Sequence, residues 1–485
     1  MSTLKDKTIN GIGWSALERF GTLGISFLAN VVLARLLSPD DFGTIGLLAT
    51  FILLSNTFID GGFGAALIQK KDTTNRDYST IFYWNIVLAI LLYAILYFSS
   101  PLIASFFHTP ILKKVLRVQA LILITNSLGV VHVSIIRKEL KFKLLTYAYF
   151  FPMLISAIVA ILLAYKGWGI WSLVALQLIN SLLQVVFLWA LNTWRPSFEF
   201  DFKSFKGLFS YGSFLLLSNL INTFCDNFQG LLIGRKFNSS LMGYYSQAKK
   251  LEEVPTLTLT TITSQVTFPV FSKINGDKES LFSAHKKSLR LLNLVNTPLM
   301  VLLYVIANQL FIILYSEKWI VSIPYFQILC IGGLANCLQS VNYSVYIASG
   351  RSRQMFRWNI IKRMIGILLM IIGVIWGIEG VLYGMVVSYW ITYIINALLA
   401  NKVTGYTLLL QLKDFLPVLV AAIIAAVVTL AVEPLLPSSL LLLAIMKLFI
   451  FIILYFLLCY LMKLESLELF IEVIQPYLGK LKKSE

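Results

Sequence analysis

The chain has 485 residues, of which 58% are hydrophobic and only 13% are charged, whereas soluble domains are about 45–50% apolar and about 25% charged. This composition excludes an ordinary soluble globular protein and predicts an all-α polytopic membrane protein. The net charge of +17 suits either a nucleic-acid partner or an unequal distribution of basic residues across a membrane.

A transmembrane helix needs about 20 mainly apolar residues, and the sequence contains fourteen segments of this kind. They lie near residues 11–33, 42–66, 79–104, 115–136, 145–165, 169–193, 207–233, 243–271, 289–314, 322–347, 358–376, 380–400, 414–432 and 439–462. The first run carries charges and lacks a small-residue cleavage site, so we interpret it as a retained span and not as a signal peptide.

Lysine and arginine accumulate on the cytoplasmic side of membrane proteins. With the N-terminus placed in the cytoplasm, 28 Lys and Arg residues fall in cytoplasmic segments and 8 in external loops. The distribution of basic residues therefore reflects membrane topology and predicts that both termini are cytoplasmic. Because topology explains the positive charge, we expect no nucleic-acid partner. The tail at 463–485, with its basic end at Lys480, Lys482 and Lys483, is predicted to be an amphipathic helix along the cytoplasmic leaflet.

The first span, which begins GWSALERFGTLGISF at Gly13, carries a row of polar residues on one helical face. Their spacings of 4, 3, 4 and 4 fit the period of an α-helix. The residues are Ser15, Arg19, Thr22, Ser26 and Asn30, with Glu18 at the edge of the face. Ionised groups inside a membrane usually line a cavity or pathway. Interhelical hydrogen bonding is the alternative for the uncharged members, and a structural pairing through other helices is the alternative for Glu18 and Arg19.

Two segments repeat at an offset of about 200 residues. Residues 33–47 align with 233–247, which places Gly43 on Gly243, and a second match joins Trp168-Gly169-Ile170 to Trp376-Gly377-Ile378. Six spans per repeat would make the two repeats parallel, and transporters of this build bind substrate between them. The predicted parts are an N-terminal six-helix lobe at 1–200, a second six-helix lobe at 201–405, two additional spans at 406–462 and a cytoplasmic tail at 463–485.

The second repeat carries its own polar face and two intramembrane lysines. The face comprises Ser218, Asn222, Asp226 and Gln229 on the seventh span. Lys249 and Lys250 lie in the first third of the eighth span, which begins GYYSQAKKLEEVP at Gly243. Local ion pairs with Glu252 and Glu253 are one interpretation of these lysines, snorkelling is another, and contact with an anionic substrate is a third. Asp226 and Glu18 are candidate sites for a coupling proton or sodium ion.

Several other kinds of site lack a sequence signal. Four cysteines and three histidines are scattered without metal-ligand spacing. There is no P-loop and no nucleophile elbow. We therefore predict a protein that is not an enzyme and needs no cofactor, apart from a coupling ion.

Six stretches of the sequence are similar to those of a known group. They are WSALERFG (14–21), VLARLLSPDDFGTIGL (32–47), DGGFGAALIQKKD (60–72), DNFQGLLIGRKF (226–237), MGYYSQAKKLEEVP (242–255) and FPVFSKI (268–274). With these motifs, the chain resembles the Wzx-type polysaccharide or O-antigen repeat-unit flippases of the MOP superfamily, which also contains the MATE antiporters and the lipid II flippase. The resemblance covers about residues 1–405.

The resemblance implies a V-shaped pair of lobes around a central cavity, alternating between inward- and outward-facing states in the bacterial inner membrane. Its cargo would be an oligosaccharide linked to a polyprenyl pyrophosphate, used for surface polysaccharide or lipopolysaccharide, with membrane lipids and other polysaccharide-assembly proteins as partners. In the lipid II flippase, arginines of the first and eighth spans line a cationic cavity. Arg19 matches the first of these, and Lys250 stands at the second as lysine.

Two other functions remain open at this stage. A MATE-like antiporter of drugs or cations would need acidic cavity residues; Asp226 and Glu18 fit this, whereas Arg19 and Lys250 do not. A membrane polysaccharide polymerase or ligase would need a sizeable external loop, and the longest external connection, near 105–114, is short.

Overall fold

The computed structural model describes residues 4–481, together with all of their side chains except those of residues 4–10, 12, 210, 211, 214, 473, 474 and 476–481. Lys482 and Lys483, at the predicted basic end of the tail, lie outside the described residues, as does the side chain of Lys480. All secondary structure in residues 4–481 is helical, as the composition predicts. The chain divides into two compact units, Met1–Gly243 and Tyr244–Glu485.

The first unit contains six long helices and four short ones, and three of the short helices occupy its fourth predicted span. Its helices are α1 (Leu4–Leu36), α2 (Pro39–Asp60), α3 (Phe63–Gln69), α4 (Asn75–Phe106), α5 (Leu112–Gln119), α6 (Leu121–Ser127), α7 (Val130–Lys138), α8 (Phe142–Tyr165), α9 (Ile170–Leu191) and α10 (Phe202–Lys236).

The second unit begins within α11, whose first five residues belong to the first unit. Its helices are α11 (Ser239–Lys273), α12 (Lys278–Val305), α13 (Ala307–Tyr315), α14 (Ser322–Ala348), α15 (Ser352–Gly373), α16 (Gly377–Thr404), α17 (Leu408–Val432), α18 (Leu440–Leu461) and α19 (Glu465–Leu481). The predicted boundary between repeats near residue 200 stays a prediction.

Every predicted span coincides with one or more of these helices. Ten helical stretches in the described residues are long and apolar enough to cross a membrane. Those ten do not include α10, α11 or α14, and α15 and α16 count as a single stretch. The count of fourteen spans therefore stays a prediction.

Helix ends in the first unit follow from local sequence. The Ser38 hydroxyl accepts the Asp41 N–H, and the Asp41 carboxylate accepts the Ser38 N–H at 3.0 Å. This reciprocal capping box satisfies two otherwise unpaired donors, and Thr74 forms the same motif with Asp77. At the other end of α2, Gly61 takes the left-handed conformation with φ +52°, which suits glycine at a helix C-terminus.

The two glycines aligned by the sequence repeat are in reciprocal contact within the first unit. A Cβ on Gly43 would lie 1.6 Å from the carbonyl oxygen of Ser239, and a Cβ on Gly243 would lie 1.8 Å from that of Pro39. The backbones of α2 and the start of α11 therefore touch directly. Only glycine permits this approach, because any side chain would overlap a carbonyl group.

Arg290 links three helices of the second unit. One arm of its guanidinium contacts Asp414 of α17 at 2.6 Å and the other contacts Glu465 of α19. Apolar residues of α19 and of the turn before it, Leu464, Leu467 and Phe470, pack against the core formed by α12, α17 and α18. Part of the apolar face of α19 therefore contacts protein. The sequence predicted contact of this face with the cytoplasmic lipid leaflet, which stays a prediction.

Lys447, in the last predicted span, is also paired. It is 2% exposed and lies 2.7 Å from Glu433 in the turn between α17 and α18. A buried ammonium group needs such a partner, so Lys447 has a structural role in the second unit.

We predict that Gly43→Ala or Gly243→Ala destabilises the protein by about 1–3 kcal/mol, as expected for overpacking. Gly24→Ala is the matched control, because no atom lies within 4 Å of a Cβ at that position. Thermal unfolding of the three variants in detergent measures the difference. A melting temperature for Gly43→Ala equal to that of Gly24→Ala would contradict the observed backbone contact.

We predict unequal contributions from the two partners of Arg290. Asp414→Asn leaves a largely buried guanidinium without its buried partner, and breaking a buried pair costs about 3–5 kcal/mol. Glu465→Gln removes a carboxylate that is 68% exposed, and exposed pairs contribute about 0–1 kcal/mol. Unfolding measurements should rank Asp414→Asn well below Glu465→Gln in stability, and the reverse order would contradict this assignment.

Candidate functional site

The N-terminal part of the polar face of α1 lies on a different side of the helix from its contact with α8. Helix α8 contacts α1 through the hydroxyl of Thr146, which donates to the Trp14 carbonyl at 3.0 Å. The Phe150 ring lies 2.9 Å from the position of a Cβ on Gly21. At about 100° per residue, the polar face is centred about a third of a turn away from this contact.

The members of this face differ in exposure. Arg19 is exposed, Ser15 and Ser26 are half-buried, and Asn30 is buried. The Thr22 hydroxyl donates to the Glu18 carbonyl at 2.6 Å, within its own helix. Arg19 is therefore the accessible charged group of the α1 face, while Asn30 lies inside the unit.

Glu18 lies nearer the α8 side and belongs to a charged cluster. The guanidinium of Arg137, at the end of α7, acts electrostatically on the carboxylates of both Glu18 and Asp60, and Arg19 also acts on Glu18. Tyr149 of α8 lies in the same field. This arrangement is compatible with the structural pairing that we considered for Glu18.

The polar face of α10 is likewise turned away from the main contact of its helix. Thr223 and Thr57 hydroxyls are hydrogen-bonded at 3.2 Å, and Thr50 donates to the Asn227 carbonyl at 3.5 Å. The predicted face lies about a third of a turn from this α2 contact. Along it Asp226 is exposed, Ser218 and Asn222 are half-buried, and Gln229 is buried and donates to the Asp226 carbonyl.

The basic and acidic residues at the start of α11 point in different directions. Lys249 pairs with Glu253 at 3.5 Å, one turn along the helix, which is the local pairing considered from the sequence. Lys250 is exposed, whereas Glu252 is only 7% exposed and turns into the second unit. From the sequence, we considered Glu252 only as a partner in local ion pairs. Nothing in the local pattern predicted that its side chain would be buried.

These helices present two exposed cations of different chemistry, Arg19 and Lys250. A guanidinium offers a planar donor fork and an ammonium a compact charge, and both bind phosphate. In the described residues, no group of three or more His, Cys, Asp or Glu side chains has an arrangement that would hold a metal ion.

Solved structures with a similar fold are membrane transporters. The chain matches the lipid II flippase MurJ in an inward closed conformation with a TM-score of 0.73 and 16% identity, covering 93% of this chain and 98% of that one. It also matches an inward-facing multidrug resistance MATE family transporter of the MOP superfamily with a TM-score of 0.64 and 15% identity. The match covers 81% of this chain and 98% of the MATE transporter. Together with the ten apolar helices, these matches identify an all-α, multi-pass membrane fold.

Sequence relatives come from polysaccharide biosynthesis. The teichuronic acid biosynthesis protein TuaB of Bacillus subtilis is 28% identical over 419 residues, 86% of each chain. The lipopolysaccharide biosynthesis protein WzxC of Escherichia coli is 26% identical over 416 residues, 82% of this chain and 81% of that one. A family model described as polysaccharide biosynthesis protein matches residues 32–324, more than half of the sequence. The chain belongs to this polysaccharide biosynthesis protein family.

Proposed function

We propose that the protein is a flippase that moves polyprenyl-pyrophosphate-linked oligosaccharide repeat units across the bacterial inner membrane by alternating access. The product would supply surface polysaccharide or lipopolysaccharide synthesis. The observation that carries the proposal is the exposed Arg19 on a polar face of α1, in a member of the polysaccharide biosynthesis family with a transporter fold. A charge in a membrane helix is costly unless it serves a pathway or a partner.

The pyrophosphate is the part of the cargo that these cations would recognise. In the proposed cycle, Arg19 binds the pyrophosphate when it enters from the cytoplasm, and Lys250 receives it nearer the external side. The polyprenyl tail stays in lipid throughout. A ligand shifts a conformational equilibrium only through different affinities for the two states, and contact with a different cation in each state would provide that difference.

The uncharged polar side chains suit the oligosaccharide. Ser15, Thr22 and Ser26 on α1 and Ser218 and Asn222 on α10 are half-buried, and they present hydroxyl and amide groups without a fixed charge. Sugar hydroxyls both donate and accept hydrogen bonds, as these groups do. Asn30 and Gln229 are buried, so we assign them to packing within the first unit. Lys249, neutralised by Glu253, has an indirect role at most.

A proton or sodium gradient would supply the driving force, since no cofactor is proposed. Of the two coupling residues suggested by the sequence, Asp226 is exposed on its helix, whereas Glu18 lies in the field of Arg137. The protein would act as a transporter and not an enzyme, with both termini in the cytoplasm, alongside membrane lipids and other polysaccharide-assembly proteins.

A MATE-like antiporter of small cations is the second candidate. The likeness to a MATE family transporter and the exposed Asp226 carboxylate favour it. The exposed Arg19 and Lys250 oppose it, because they would repel a cationic drug. Both candidates share a fold, so only the cargo distinguishes them.

We predict that proteoliposomes containing the protein flip a fluorescent undecaprenyl-pyrophosphate oligosaccharide, and that Arg19→Ala and Lys250→Ala each slow flipping strongly. Losing a charge-assisted phosphate contact costs about 1.5–3 kcal/mol, which corresponds to about 10- to 100-fold in rate. Protection of the fluorophore from an external quencher reports the sidedness of the lipid.

Lys166→Ala is the matched control, because Lys166 is exposed in a short loop after α8. It should flip at the wild-type rate. If flipping survives both Arg19→Ala and Lys250→Ala, the two cations are structural. If the folded wild type transports a cationic dye but does not flip the lipid, the antiporter function is correct instead.

A further inference from the structure

Glu252 is a buried acid that the proposed mechanism does not use. It lies on α11 with 7% of its surface exposed, inside the second unit. Its neighbour Glu253 points away and pairs with Lys249 at 3.5 Å. Two adjacent carboxylates on one helix therefore occupy opposite environments, one ion-paired near the surface and the other enclosed.

The immediate surroundings of Glu252 offer little to stabilise a negative charge. Its carboxylate accepts one hydrogen bond, from the Thr256 hydroxyl at 2.5 Å. On the facing helix, Gly333 of α14 leaves room for it, since a Cβ there would lie 2.8 Å from Glu252 Oε1 and 2.7 Å from the sulfur of Met300. No ion pair to Glu252 occurs in the part of the chain that the structure describes.

A second unsatisfied group reaches the same glycine. The side-chain amide of Asn296 on α12 donates to the carbonyls of Gly333 and Leu334 at 3.4 and 3.2 Å. Asn296 is fully buried, and its Oδ1 has no hydrogen-bond partner among the described residues. The side chains of Glu252 and Asn296 therefore both approach Gly333, and the unpaired amide oxygen of Asn296 calls for an explanation.

The titratable groups around Glu252 do not compensate its charge. From α11 they are Lys249 and Glu253, which neutralise each other. From α14 they are Cys330 and Cys337, and from α16 Tyr389, all of which lie in the field of Glu252. From α12, the Asn296 and Met300 side chains do not titrate. An uncompensated carboxylate in a dry interior costs several kcal/mol or more and instead takes up a proton.

The helix that carries Glu252 contains a proline at which it can bend. Pro255, three residues further along, lies within α11 and cannot donate a hydrogen bond to the preceding turn, which is a common cause of helix kinks. A change of bend at Pro255 would move Glu252 relative to Gly333 and admit water to the carboxyl group. Such a movement would couple the burial and protonation of Glu252 to the conformation of α11.

We propose that Glu252 is the proton-binding site that couples transport to a proton gradient. In the conformation described here it is a neutral carboxylic acid hydrogen-bonded to Thr256. When α11 moves, the acid releases its proton to water and becomes a carboxylate, and it takes up a proton from water on the other side before it is buried again. The inference rests on the proposed flippase function and replaces Asp226 as the site of coupling.

Infrared spectroscopy of the purified protein tests the protonation state independently of transport. We expect a carboxylic acid C=O stretch at neutral pH that disappears in Glu252→Gln and persists in Glu253→Gln, the matched neighbour. Glutamine keeps the size of the side chain and an oxygen that accepts from Thr256. If the wild type has no band that Glu252→Gln removes, Glu252 is ionised and the inference is wrong.

Thr256→Val provides a second variant should Glu252→Gln fail to fold. It retains the acid and removes the hydroxyl that donates to it, so the same band should shift in frequency. A band that is unaltered in Thr256→Val would exclude Glu252 as its source.

Transport measurements test the coupling itself. In proteoliposomes acidified on the external side by one pH unit, exchange of one proton per lipid raises the steady-state ratio of external to internal lipid up to about tenfold. We expect this rise in the lipid ratio in wild type and in Glu253→Gln. We expect Glu252→Gln to flip the lipid without a rise in the ratio.

A gradient effect that survives in Glu252→Gln, or a wild type that flips and responds only to sodium, overturns the proton site but leaves the flippase function intact. A wild type that does not flip at all refutes the flippase function, and the infrared result still decides whether Glu252 carries a proton.

Discussion

The high cost of a charge in hydrocarbon is the constraint on which the rest of this structure depends. Each ionisable residue within the apolar helices must be paired, be neutralised by a proton, or face a space that holds water or a ligand. Lys447 meets Glu433 and Arg290 meets Asp414. Lys362, 6% exposed, donates to the Asn396 side chain at 2.7 Å. Arg19 and Lys250 are exposed, and they are the cations that the proposed function assigns to the pyrophosphate.

The same constraint separates residues that look alike in sequence. Glu18 and Arg19 are adjacent, yet Glu18 is half-buried and Arg19 is exposed on the polar face of α1. Glu252 and Glu253 are adjacent, yet one is buried beside Gly333 and the other pairs with Lys249. Because neighbouring residues on a helix differ by about 100° in direction, a single step along the chain gives a side chain a different environment.

Periodicity and composition were sufficient to predict the helices and the polar faces, since both depend on residues close in sequence. The repeat offset also aligned Gly43 with Gly243, which the structure brings into direct contact. The partners of charged residues could not be predicted. Asp414 lies 124 positions from Arg290, so only tertiary packing brings the two residues together. The burial of Glu252 depends on a glycine of another helix for the same reason.

Photocrosslinking of the lipid substrate to α1 tests the central claim most directly. A photoreactive side chain at Ser26, on the polar face, is compared with one at Leu28, which is 65% exposed and lies about 200° around the helix from Ser26. With a lipid carrying the pyrophosphate and sugar head group, we predict crosslinks at Ser26 that unlabelled substrate competes away, and none that it competes away at Leu28. Equal crosslinking at both positions, or competition at Leu28 alone, would contradict a substrate path along the polar face of α1.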